Sequence, residues 1–578
     1  MTAIHLGGKI MKRMKAIVVA VLALAMVAAL CACGNKGGDT PQGSGAADGG
    51  AAKGMTYTLI YGNNEGDEVA LVAQSLKDQW EEAFPDVTIN LQPMTKSERL
   101  EKMQNDNYTI ALTRWGPDYA DPMTYLGMWV TDAPNNYGFW SNPEYDAIIK
   151  SASSGELAGD YDARWAALYQ AEEMVMKDAV ITPLYTKANA NLIADGVQGV
   201  EFHPVALNRV YKRATCPSGT MNVMFSTYVM SLNTNLATDG DSFEVIADCI
   251  DGLTQMDAEG AAQPAIAESW DISEDQMTYT FHLRKDAVWN NGTPVTAKDF
   301  EFAWKLSMTA NVEYNYMFDN TVACVKNADA ILYEGADPET LGVKALDDYT
   351  LEVQLEAPVS FFPSLMYFPT FYPINQAFYE QVGADNYGTS PETFLSNGAF
   401  VLSEYTPGTA SPKVVKNPNY YDAASVTLNG INYQVVDGSD NALTAFKNGT
   451  LDISVISGDQ VGAVEKDATL SKNLNVTGAG YMWYVTFSQT KNKDSNGDFA
   501  NADLRLAFAN AIDREFLVDN YVMDGSLPTY TCVPPQFAAS ATTGEDFSAD
   551  QTRFQEYCSY NLESAQAHFT DAKAALGY

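Results

Sequence analysis

The sequence predicts an α/β protein with mixed sheets, and three observations predict it. Stretches of period-two hydrophobic alternation and stretches of helical apolar spacing follow one another along the chain. At 578 residues the chain is long enough for several cores, which points to two or three domains. No segment repeats, so a solenoid or propeller is not expected.

The elements follow in order. Lys9, Lys12, Arg13 and Lys15 precede the apolar run "AIVVAVLALAMVAAL", which ends at Leu30. That run is short for a spanning helix and basic only at its front, so residues 1–32 read as a secretory signal. The ending "LCAC" resembles a bacterial lipobox and makes Cys33 the lipidated residue, although Cys31 departs from the commonest pattern. Ordinary cleavage with soluble release is the alternative. Residues 33–54 are rich in Gly, Ala and polar groups and read as a flexible tether of roughly 25 Å reach.

"TYTLIYG" (56–62) then reads as a strand, "EVALVAQSLKDQWEEAF" (68–84) as a helix and "VTINLQP" (87–93) as a half-buried strand. "MTYTFHLRKDAVW" (277–289) is a further alternating strand. Thr296 and Asp299 form an acidic variant of a capping box opening the helix after it. "DLRLAFANAIDREFLVDNYV" (503–522) and "LESAQAHFTDAKAAL" (562–576) read as amphipathic helices.

Charge and motifs narrow the function. The chain carries 35 basic and 73 acidic residues. Without residues 1–32 the balance is 31 to 73, a net charge of about −42, which repels phosphates and argues against nucleic acid. Cys216, Cys249, Cys324, Cys532 and Cys558 show neither paired nor zinc-ligand spacing, and Cys249 reads as a core residue. The four histidines are scattered, and no nucleophile elbow or phosphate loop occurs. "KDSNGDF" (493–499) has its glycine one place late for a calcium loop and reads as a turn. No enzyme, metal or cofactor is therefore expected. Rings gather beside prolines in "FFPSLMYFPTFYP" (361–373), in "YMWYVTF" (481–487) and around "RWGPDYADPMTYL" (114–126). Core packing explains such clusters, and so does a wide ring-lined cleft.

Several stretches together resemble the oligopeptide-binding proteins of ABC importers, solute-binding protein family 5. They are "AIAESWDISEDQMTYTFHLRKDAVWNNGTPVTAKDF" (265–300), "LEAPVSFFPSL" (355–365), "NGAFVLSEYTPG" (397–408), "KNPNYYDA" (416–423), "FKNGTLDI" (446–453), "LRLAFANAIDRE" (504–515), "WGPDYADPMTYLGMW" (115–129) and "ITPLYTKANANLI" (181–193). The resemblance implies a periplasmic-binding-protein type II-like fold, with two lobes joined by a hinge and an extra domain. It also implies a changed order. Residues 55–213 are similar to the family's C-terminal third and residues 220–578 to its first two thirds, as in a circular permutation. A gene-model artefact is the alternative. One lobe is then expected from 55–186 with 482–578, the other from 187–240 with 370–481, and the additional domain from 241–369.

What the resemblance implies about the site is specific. Asp118, three residues after Trp115, matches the aspartate that pairs with a bound peptide's α-ammonium. The backbone around Trp115 and Gly116, and that of "YVMSL" with Tyr228 and Ser231, would pair with the peptide main chain, while Trp483 and Tyr484 would line its course. A turn-capping role for Asp118 is the bland alternative. Gly116 and Pro117 stand where enterobacterial relatives have cysteine and alanine, so their disulfide cannot form here. The arginines those relatives use for short peptides' carboxylates are replaced near Met103 and Leu112, so a carboxylate clamp for short peptides is not expected. The expectation is a lipid-anchored, extracytoplasmic, monomeric peptide receptor at the cell surface or in the periplasm, passing oligopeptides to ABC transporter permease subunits. Rivals are a non-peptide solute on the same fold, a peptide-sensing receptor and a surface hydrolase.

Overall fold

The computed structural model describes residues 54–578 apart from 67, 206, 258–260, 310, 311 and 541. The signal segment 1–32, Cys33 and the tether up to 53 lie outside the described residues.

Strand β1 (Met55–Gly62) is rich in β-branched and aromatic residues and is largely buried. The helix Glu68–Ala83 covers it with Val69, Val72, Leu76 and Trp80, the spacing of one buried helical face. Strand β2 (Val87–Met94) returns parallel to β1. The helix Lys96–Gln104 opens with a capping box, in which Glu98 and Thr95 each satisfy the other's backbone N–H. It leads to strand β3 (Ile110–Trp115), also parallel to β1.

Strands β4 (Ile181–Ile193), β5 (Thr220–Phe225), β6 (Phe400–Glu404), β7 (Lys413–Lys416), β8 (Gly430–Val435), β9 (Ile453–Ile456) and β10 (Leu474–Phe487) complete the main sheet. Its order is β6-β7-β8-β5-β9-β4-β10-β3-β1-β2, with Leu527–Pro528 paired to β4. Parallel pairing at both flanks is thus joined by antiparallel β4 and β10. These two long strands pair at both ends, Leu474–Gly478 with 188–192 and Met482–Thr486 with 181–186, but their register breaks between Gly478 and Met482. The break frees Ala479–Tyr481 from the ladder and re-aims Tyr481.

A separate antiparallel sheet orders Ala267–Ile272, Thr278–Leu283, Thr350–Gln354 and Val343–Asp347. The helix Ala297–Ser307 packs on it, and the Thr296 N–H donates to Asp299 at 2.8 Å as the capping pattern predicts. The strand expected to reach 289 ends at Leu283. There Arg284 turns back to Asp286 at 2.8 Å and lies 3.4 Å over the Tyr421 ring.

The helix expected over 503–522 is interrupted. It runs Ala502–Asn510, resumes at Arg514–Leu517 and finishes in a wider turn, Val518–Val522. The buried Arg514 guanidinium donates to the carbonyls of Pro183, Ala509 and Ile512. Asp513 caps the new turn through the Phe516 N–H. Helix Leu562–Leu576 matches its expected bounds.

One core gathers Met55, Tyr57 and Leu59 of β1, Trp80, Trp483 and Val485, and Phe508, Phe569 and Ala572 from the end of the sequence. Trp80 donates to the Phe508 carbonyl at 2.9 Å. The larger core runs from Tyr119 through the additional sheet to Cys558. Cys249, Cys324, Cys532 and Cys558 are buried and unpaired, and Cys216 is half-buried and unpaired.

Candidate functional site

The segment after β3 leaves the sheet at Gly116. A side chain there would place its Cβ 2.2 Å from the Tyr481 ring, so the close approach of that ring requires glycine. Pro117 follows, and the next turn carries two aspartates with different fates.

Asp121 is fully committed. Both its oxygens accept from the Arg164 guanidinium, at 2.8 and 2.9 Å, and one also caps the Met123 N–H at 3.0 Å. Both side chains of this ion pair are 5% exposed.

Among the described residues Asp118 has no cation, and its carboxylate accepts the Tyr316 hydroxyl alone, at 2.5 Å. Tyr316 belongs to the short helical turn Glu313–Phe318, beyond the additional sheet's first helix. Burial pushes the Asp118 carboxyl up from 3.8 to about 6; the Tyr316 hydrogen bond opposes the shift and Glu313 adds to it. A desolvated carboxylate with a single neutral donor is poised to take a cation, which would replace the lost solvation. Tyr314, on the same turn, is half-buried, and burial together with Asp118, Glu313 and Tyr481 raises its hydroxyl.

The other expected residues are placed as follows. Trp115 ends β3, opposite Met482, and its indole N–H is buried without a partner. Tyr228 is exposed, and the half-buried Ser231 hydroxyl accepts the Asn233 N–H at 3.2 Å. Among the described residues neither makes a hydrogen bond to the Asp118 turn. Between them, Val229 bridges Thr409 in antiparallel fashion. Trp483 and Tyr484 are both fully enclosed, on opposite faces of β10. Trp483 stacks on Tyr185 at 6.1 Å, and Tyr484 meets Trp129 edge-on at 5.9 Å. Among the described residues the Tyr484 hydroxyl makes no hydrogen bond.

The structure thus gathers Trp115, Gly116 and Asp118 with Tyr481, Tyr314 and Tyr316. Sequence reasoning missed Tyr314 and Tyr316, and took Tyr481 only as part of the ring-rich "YMWYVTF". Tyr316 stands 198 residues from Asp118, and only the ring-rich "EYNYMF" marked it. Among the described residues, no group of three or more His, Cys, Asp or Glu is placed to hold a metal.

The model for bacterial extracellular solute-binding proteins, family 5, matches residues 36–137 and 261–578, and the chain belongs to that family. Among its relatives are a dipeptide-binding protein of Lactococcus lactis (32% identical, 62% of this chain, 64% of that one) and a probable deoxycholate-binding periplasmic protein, YgiS, of Escherichia coli (32%, 55% and 57%). The chain matches under two thirds of the length of either. Among solved structures, the pheromone receptor PrgZ is similar at 26% identity and a TM-score of 0.50, over 62% of this chain and 68% of that one.

Proposed function

We propose that this protein captures peptides with a free N-terminus outside the cytoplasm and delivers them to an ABC importer. The observation that carries the reading is Asp118, half-buried and, among the described residues, without a cation and held by one tyrosine from the additional domain. An α-ammonium is the group that such a carboxylate selects. The "YVMSL" segment, with Tyr228 and Met230 exposed, would add main-chain pairing from the other lobe, with Trp115 and Gly116 facing it. The lobes would close by rotation at the register break between Gly478 and Met482. Lipidation at Cys33 would hold the monomer near the membrane. Family membership supports a binding protein rather than an enzyme.

The names of two relatives favour a second reading each. The YgiS likeness points to a non-peptide solute and PrgZ to peptide sensing.

The chain order fits a permuted family member. The family model matches in two stretches, and Tyr57 and Tyr578 both donate to the same Asp498 oxygen, at 2.8 and 2.7 Å. The chain leading into the joint between the two pieces is tied down by Arg209–Glu244 at 3.1 Å and Lys212–Asp251 at 2.9 Å.

The test is calorimetry with free and N-acetylated peptides. Acetylation, or Asp118→Asn, should each weaken binding by about 2–5 kcal/mol. Unchanged affinity in both would remove Asp118 from the site.

A further inference from the structure

We propose that helix Gly240–Cys249 is a pH-sensitive mount for the ligand-facing loop after β5: Asp241 positions the loop, and Asp248 keeps the mount docked while it holds a proton. The ligand side of the inference rests on the peptide reading above; the proton side does not.

The helix carries Asp241, Glu244 and Asp248 on one face, three and four residues apart, and Asp251 follows them. Glu244, Asp248 and Asp251 are buried and Asp241 is half-buried. The chain from 209 to 212 sets two buried cations against this face. Arg209 takes Glu244 at 3.1 Å, and Lys212 takes Asp251 at 2.9 Å. The Tyr211 hydroxyl also donates to Glu244, and those of Tyr420 and Tyr421 donate to Asp251. Both cations are thus engaged by acids other than Asp248.

Among the described residues, the Asp248 side chain accepts one hydrogen bond, from the Tyr433 hydroxyl of β8. Cys249 and Tyr372 also face it, and burial raises both, so neither supplies charge. β6 packs on the helix too, but its one acid, Glu404, turns to Lys413 at 2.8 Å. An enclosed carboxylate without a cation of its own, one turn from an ionised glutamate, is favoured as the neutral acid. Burial pushes Asp248 well above 3.8; Tyr433, Lys212 and Arg209 oppose the shift, and Glu244 adds to it. A cavity of about 40 Å³ between Arg209, Lys212, Asp248 and Asp251 gives water room to carry the proton in or out.

Asp241 ties the helix to the loop. One of its oxygens accepts both the N–H and the hydroxyl of Thr227, at 3.0 and 2.8 Å, and Thr227 immediately precedes Tyr228. On the other side, the Val229 carbonyl accepts the Gly408 N–H at 2.9 Å. Loss of the Asp248 proton puts like charges four residues apart on the helix, with no cation to spare. The helix then eases off the 209–212 segment, and Thr227 moves with it. Because the folded carboxyl lies above 3.8, its stabilisation is complete below pH 3.8 and is lost as the pH rises through the folded value.

Two experiments on the whole protein test this. Asp248→Asn copies the protonated carboxyl at every pH, so it should melt with the wild type in acid and increasingly above it as the pH rises. Calorimetry with one free-amine tripeptide should give equal affinities for the two proteins at about pH 6, and binding at least about fivefold tighter in Asp248→Asn at about pH 9. The ratio cancels the titration of the peptide's own amine. Asp241→Asn added to both proteins should abolish that ratio. The second experiment needs neither variant nor ligand: amide exchange of the wild type, corrected for intrinsic rates, should show 209–213 and 226–232 losing protection between those pH values while β1 keeps its own. Unchanged protection there, or a melting difference that does not grow with pH, overturns the inference. A growing melting difference with a constant affinity ratio overturns the link to the ligand and leaves the peptide reading standing. Failure of the tripeptide to bind either protein overturns the peptide reading, and melting and exchange then decide the proton alone.

Discussion

Asp118 and Asp121 stand three residues apart, yet their surroundings give them opposite tasks. Asp121 and Arg164 form a buried bidentate pair, and removing one partner strands a charge. Asp121→Asn should cost about 3–5 kcal/mol in denaturant unfolding, whereas Asp118→Asn, which removes a carboxylate that is unfavourable when ionised, should raise stability above about pH 6 and leave it unchanged in acid. The Asp118 carboxyl is raised from 3.8 to about 6, so the folded protein holds a proton there that the unfolded chain releases. Its stabilisation is complete below pH 3.8 and is lost as the pH rises through about 6. Ligand binding runs the other way, because an ammonium needs the ionised carboxylate. Affinity for free-amine peptides should therefore climb as the pH rises through about 6 and fall again above about pH 8, where the free α-amino group loses its proton, and the acidic rise should be missing in Asp118→Asn. An acidic rise that persists in the variant would assign the titration to another group.

Among the elements, the register break in β10 is the one that shapes the site. Gly480 sits there with φ +69°, its carbonyl accepts the Tyr125 hydroxyl, and a Cβ would lie 2.3 Å from the Pro204 carbonyl. Gly480→Ala should destabilise by about 1–3 kcal/mol in thermal or denaturant unfolding and weaken ligand binding by displacing Tyr481. Wild-type stability and affinity in that variant would mean that the break is a passive irregularity. The helix over 503–522 is instructive in the same way. Its apolar period continues across Ala511–Asp513, but the Arg514 guanidinium satisfies carbonyls from three segments, at Pro183, at Ala509 with Ile512, and at Cys558, and ends the first helix there. Periodicity reports which side is buried; it does not report where a long-range donor interrupts the backbone ladder.

At the scale of the whole molecule, the first described strand and the last helix share one core, with Tyr57 and Tyr578 on Asp498 and Lys573 paired to Asp86. If the order is a permutation of the family's, the segment between residues 213 and 220 is a replaceable joint. A variant joined from Tyr578 to Gly54 by a short linker and opened between the exposed Pro217 and Ser218 should fold. Its melting temperature should lie within about 5 °C of the parent's, with peptide affinity preserved. An aggregated product or lost affinity would show that the joint itself carries stability.

The sequence by itself determined the α/β class, the bounds of β1, β2 and helix Leu562–Leu576, and the family, because these rest on local periodicity and contiguous motifs. It also singled out Trp115, Gly116 and Asp118 through one short stretch. Only the tertiary structure decided that Asp121 belongs to Arg164, that Tyr316 occupies Asp118, and that Trp483 and Tyr484 are enclosed on opposite faces of one strand. It alone set Asp248 beside Tyr433 with Arg209 and Lys212 already taken. A side chain's charge balance depends on neighbours tens or hundreds of residues away, and no local pattern records whether a partner is already spent.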